Sequence, residues 1–140
     1  MKQQTGKPMV KKICMLVCSL MITAGSLSAQ VISELPPFER AIAVIKHFEG
    51  LHNKAEHYPY VGYGHKVLPG ENLSTDMTEE EADRLLRSDL MKLCKMFSGY
   101  GQDSLPLATL AYNVGPYRIL GYGDRPKSRL IQMLDEGDRN

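Results

Sequence analysis

Residues 37–65 read PFERAIAVIKHFEGLHNKAEHYPYVGYGH, and the change of pattern at Gly50 decides the fold. Before it, Phe38, Ala41, Ile42, Ile45 and Phe48 recur at helical spacing, which predicts an amphipathic helix over roughly 37–49. Pro36 and Pro37 suit its first turn, where a missing N–H costs nothing. Gly50 suits the position just past its end. Residues 51–72 hold three of the four histidines, three of the seven tyrosines and two prolines. Tyr58 to His65 read as short extended strands with a turn, a small irregular hairpin.

Upstream, residues 31–37 read as a connector. Downstream, Thr78-Glu79-Glu80-Glu81 is a capping box: the Thr78 hydroxyl accepts an N–H while Glu81 reaches back. Ala82, Leu85, Leu86, Leu90, Leu93, Cys94 and Phe97 continue it as an apolar helical stripe to about residue 97. Cys94 lies on that stripe and reads as a core thiol. Leu105 to Tyr112 is nearly all apolar and predicts a buried central helix. Gly115-Pro116 breaks it, and Gly121 and Gly123 mark a further loop. Ser128 to Leu134 predicts a last helix closed by Gly137. The layout is α+β and mostly α, a small β-hairpin lobe beside a helical lobe.

The first 29 residues differ in kind. Lys11-Lys12 precede the apolar run Ile13 to Ala24, and Ser28-Ala29 closes a small, polar end. That is the pattern of a secretory signal, and the run is too short to span a ~30 Å hydrocarbon core comfortably. Cleavage after Ala29 is preferred over an uncleaved anchor, giving a secreted or periplasmic domain over 30–140 with no stable membrane insertion. A lipid anchor on Cys18 is set aside, since Val17 precedes it where a small residue is wanted. Cleavage leaves Cys94 as the sole cysteine, so no intramolecular disulfide forms in the mature chain.

The chain carries 17 basic and 16 acidic residues in 140, with 43% hydrophobic and 24% charged. Four of the lysines lie in the leader (Lys2, Lys7, Lys11, Lys12), so the remainder has 13 basic and 16 acidic residues, a net of −3. That balance excludes the basic face of a nucleic-acid binder and suits one small globular domain, expected as a monomer.

Chemistry concentrates where the first helix meets the hairpin. Glu49 ends an apolar helix, where the dipole's negative end and apolar surroundings both favour a protonated carboxyl. A general acid needs that state near neutral pH. Taken alone, a glutamate at a helix end reads better as a solvated surface residue. His47, His52, His57 and His65 fall close together around Glu56, which raises a metal site, but the spacing lacks the H-E-x-x-H pattern and no second cluster completes it. No metal and no cofactor are expected. Tyr58, Tyr60, Tyr63 and Tyr112 are candidates for ring stacking on a ligand or for the core, with Tyr112 better suited to the core.

Four blocks occur in order: Ile45-Lys46-His47-Phe48-Glu49-Gly50, then Val61-Gly62-Tyr63-Gly64-His65, then Met77 to Ala82 with Leu85-Leu86 and Asp89-Leu90, then Ala111-Tyr112-Asn113-Val114-Gly115. Together with Ser128 to Asp138 they resemble the phage-type lysozymes (glycoside hydrolase family 24, the endolysin-like muramidases), and among these the secreted Bacteroides-type members. The resemblance covers most of residues 38–138. It implies a lysozyme-like fold and hydrolysis of the β-1,4 bond between N-acetylmuramic acid and N-acetylglucosamine, with peptidoglycan glycan strands as the partner. It implies Glu49 as the general acid, Tyr63 and His65 on the hairpin wall of the cleft, and Asn113 on the opposite helical wall.

Two departures qualify it. The family has an Asp and then a Thr before Gly-Tyr-Gly-His; Lys54 and Tyr60 stand there in this chain, and Glu49 and Gly62 are only 13 residues apart. Glycoside hydrolysis normally uses a second carboxylate. The candidates nearby are Glu56 and His57, read as a pair with one functional member or as two solvated loop residues; Tyr60 can position groups but is a poor base. The family also continues with further helices past Asn140, so the domain reads as truncated at its C-terminal part, with apolar surface expected on its last helices. The alternatives are a non-catalytic peptidoglycan-binding descendant, a lytic transglycosylase and a metal-dependent amidase.

Overall fold

The computed structural model describes residues 31–138, so the expected leader over residues 1–29 lies outside the described residues. Residues 31–34 form a helical turn where a connector was expected. From Pro37 onward the chain forms one compact unit.

Helix α1 spans Pro37–Glu49, matching the expected bounds. It buries Ala41, Ile42 and Ile45, the stripe that its 3.6-residue period brings to one face. A 3-10 turn over Ala55–His57 leads to the antiparallel strands β1 (Tyr60–Val61) and β2 (His65–Lys66), with Tyr60 opposite Lys66 and Val61 opposite His65. His52 adds an isolated antiparallel bridge to Gly62.

Helix α2 spans Glu79–Met96. Its capping box forms as expected: Thr78 accepts from the Glu81 N–H, and the Glu81 carboxylate accepts from the Thr78 N–H at 2.7 Å. Helix α3 covers Ser104–Val114 and buries Leu107, Ala108 and Ala111. It packs on both α1 and α2, so the apolar segment is the centre of the fold. Two further elements were not expected: 3-10 turns over Ser98–Asp103, and a short helix α4, Pro116–Leu120. Gly115 ends α3, but Pro116 fits the first position of a new helix and restarts the chain in another direction. Helix α5 spans Arg129–Asp135, capped by Ser128.

The core joins α1, α2 and α3 with Tyr63 of the hairpin, Ile119 of α4 and Ile131 of α5. Phe97, Ile45, Leu86, Leu90, Ile131 and Val61 are its largest fully buried side chains, each contributing about 2 kcal/mol by burial. Cys94 is a free thiol partly buried against this core, and burial pushes its pKa up. A charge network braces α1 to α2 outside it. Arg87 forks onto both Glu39 oxygens at 2.6 and 2.8 Å and donates to Asp83 at 2.6 Å, while Lys46 donates to Asp83 at 3.1 Å. The result is α+β and mostly α, a two-stranded hairpin beside a helical body.

Candidate active site

The end of α1, the hairpin and the junction of α3 with α4 enclose a cleft of about 650 Å³. Glu49 lines it from the last position of α1, followed on the hairpin side by His52, Tyr60, Gly64 and His65. Asp89 and Lys92 line it from α2, and Tyr112 and Asn113 from α3.

Glu49 is held by shape. Its Oε2 lies 3.1 Å from where a methyl group on Gly64 would sit. Gly64 has φ +91°, a region where L side chains are strained, so glycine serves both the backbone and the carboxylate's approach. Among the described residues the Glu49 side chain makes no hydrogen bond or ion pair, which leaves its oxygens for a ligand.

His65 is committed elsewhere. Its Nδ1 bonds Asp89 Oδ2 at 2.5 Å and its Nε2 bonds Glu71 Oε2 at 2.9 Å, with the side chain 9% exposed. Burial opposes a charge on the ring, but the bonds to Glu71 and Asp89 outweigh it and hold the pKa above the ordinary histidine value. The imidazolium thereby ties β2 to α2. Asp89 also accepts from Lys92 at 3.0 Å. Glu49 and Asp89 are the two carboxylates lining the cleft, and Asp89 has both oxygens engaged.

Tyr60 is half-exposed on the cleft wall, and Asn113 is exposed on the opposite wall. Tyr63, expected on the wall, turns its side chain into the core at 4% exposure, with its hydroxyl donating to Glu79 at 3.0 Å and the Lys46 ammonium over its ring. Its carbonyl, not its ring, faces the α3 side and accepts from the Tyr112 hydroxyl at 2.8 Å. Tyr112 thus both packs and lines the cleft. Burial, with the Asp89 and Glu49 charges adding to it, pushes its phenol well above the usual tyrosine range.

Glu56 is exposed on the 3-10 turn, outside the cleft lining. Lys54 is exposed beside it, and its N–H donates to His57 Nδ1 at 3.3 Å. His57 does not line the cleft; its ring packs 5.0 Å from that of His52. His52 is the group that the sequence reading did not single out for the cleft. Its N–H donates to Gly62 O at 2.7 Å, and its Nε2 lies 3.3 Å from the Glu49 carbonyl oxygen. A carbonyl only accepts, so Nε2 donates in this contact and Nδ1 is the ring's other nitrogen. That Nδ1 is buried without a partner among the described residues. No three His, Cys, Asp or Glu side chains among the described residues group as a metal site.

An acid at the end of a helix, a glycine hairpin against it and a helical wall opposite make up the cleft. No curated protein and no solved structure gives a match to the chain. Residues 46–140, more than half of the chain, match the family described as Phage lysozyme. The chain therefore belongs to the phage lysozyme family.

Proposed function

We propose that this protein is a muramidase that cleaves the β-1,4 bond between N-acetylmuramic acid and N-acetylglucosamine, with Glu49 as the general acid. Family membership carries the coarser activity, glycosidic cleavage of cell-wall peptidoglycan. The observation that supports the finer reading is Glu49 itself, a cleft carboxylate without an internal partner, set against Gly64 at the end of an apolar helix. In this reading the protonated Glu49 carboxyl gives its proton to the glycosidic oxygen as the bond to the anomeric carbon breaks. Lys66, Lys92 and Arg118 along the cleft suit a substrate whose peptide stems carry carboxylates. The secretory leader over residues 1–29 suits a substrate outside the cytoplasmic membrane, and the domain acts as a monomer.

His52 lines the cleft beside Glu49, whereas Glu56 and His57 do not. We assign it a positioning role: its Nε2–H fixes the carbonyl of Glu49 and hence the end of α1. The engagement of Asp89 favours a second reading, lytic transglycosylation, in which the sugar's own hydroxyl takes the place of water and one carboxyl suffices. Digestion of purified sacculi beside Glu49→Gln tests the proposal. New chain ends from wild type alone support it; equal release by Glu49→Gln overturns it, and sacculus binding without any release supports the binding-only descendant.

A further inference from the structure

Two tyrosines outside the cleft lining stand in the open. Tyr117 on α4 is 53% exposed and Tyr122 on the following loop is 73% exposed, with ring centroids 5.0 Å apart and planes inclined at 50°. Neither hydroxyl has a hydrogen-bond partner among the described residues. Such a pair is a large apolar surface left to water, with polar ends free to bond a ligand.

The loop that carries Tyr122 is tightly built. Tyr122 and Arg125 exchange both backbone bonds at 3.1 Å, and the Ser128 N–H donates to Ile119 O at 2.9 Å. Gly121 has φ +77°, and a Cβ there would meet Arg125 O at 2.7 Å and Lys127 N at 2.9 Å. The loop is thus closed back against α4, which holds the Tyr122 ring beside Tyr117. A surface ordered before binding loses little entropy when a ligand arrives.

Its place in the fold says what it meets. Pro116 and Arg118 both line the cleft, and Tyr117 lies between them in sequence. Ile119, one step further round the helix, is buried at 3%. At 100° per residue Tyr117 points nearly opposite Ile119, so its ring faces outward between two residues that line the cleft.

We propose that Tyr117 and Tyr122 form a glycan platform that continues the cleft, stacking on pyranose rings of the same strand beyond the bond being cleaved. Pyranose rings present C–H groups on their faces, which suit the negative faces of phenol rings. A linear polymer emerging past Arg118 meets this pair next. The proposal rests on the peptidoglycan reading of the cleft.

The test is sedimentation of the full chain, carrying Glu49→Gln so that substrate persists, with purified sacculi. Adding Y117A and Y122A is expected to weaken retention about tenfold, while Y117F with Y122F keeps most of it. Both positions are exposed, and a thermal melt checks that the fold is intact. Undiminished retention of the double alanine variant overturns the platform, as does absence of retention in the parent. A change from dimer to monomer in ultracentrifugation, with retention unaltered, would assign the pair to self-association and overturn it too. Failure of the cleft reading looks different: no chain ends from wild type, whatever the tyrosines do.

Discussion

Oε2 of Glu49 stands 3.1 Å from the position that a Cβ on Gly64 would occupy. The carboxylate and the hairpin backbone are therefore fitted to each other, and neither can change alone.

Gly64→Ala is expected to push the carboxylate aside and to strain a backbone at φ +91°, costing about 1–2 kcal/mol of stability. Sacculus digestion should fall further than that loss explains, by about tenfold or more for a displaced acid. Rates on sacculi and thermal melts of the same preparation check this. Full activity in the variant would contradict the placement of Glu49.

The His65 clamp makes stability depend on pH. Its folded pKa is raised above the ordinary 6.5, so its contribution is fully present below that value and is lost as pH rises through the raised one. Urea unfolding of wild type and His65→Asn across pH 5.5 to 9 (roughly the window around the ordinary histidine pKa) should show a gap that narrows toward alkaline pH. A gap independent of pH would contradict a charged His65 between Glu71 and Asp89.

His52 reaches the Glu49 carbonyl through Nε2. His52→Gln keeps an N–H near that reach and His52→Asn does not. The asparagine variant should lose about tenfold in kcat, with KM little changed; the glutamine variant should recover most of it. Equal losses in both would contradict the positioning role.

Helix α1 and the start of α2 were legible in sequence because periodicity and capping are local. Phe38 to Phe48 repeat on one face, and Thr78 and Glu81 satisfy each other within one turn. The site was legible less evenly. Glu49 and Asn113 came from short motifs and Tyr60 from a departure beside one, and all three line the cleft. Tyr63 was placed on the wall, but it lies in the turn after β1, where Gly62 at φ +57° redirects the chain, and its ring is buried. No local pattern gives that direction. The bonds of His65 to Asp89 and of Arg87 to Glu39 join residues 24 and 48 apart in sequence, where no local pattern announces them. His52 enters the cleft through its bridge to Gly62, another pairing across a turn. Helix α4 was hidden because Gly115-Pro116 signals a stop and a start alike.

Arg87 is the hub of the α1–α2 brace. Its side chain is 34% exposed and Glu39 is 41% exposed, so solvent screens much of the attraction. Arg87→Met is expected to cost about 1 kcal/mol, read as a lowered urea midpoint at unchanged slope, with the loss shrinking in high salt. An unchanged midpoint would show that apolar packing alone sets the angle of α1.

The most direct test of the central claim is mass spectrometry of the fragments released from purified peptidoglycan by wild type and by Glu49→Gln. Muropeptides with a free reducing N-acetylmuramic acid end, from wild type alone, are the predicted result. Anhydro ends would keep Glu49 and convert the reaction to transglycosylation. The same fragments from the folded Glu49→Gln variant, or none from a folded wild type, would contradict the assignment of Glu49 as the acid of a muramidase.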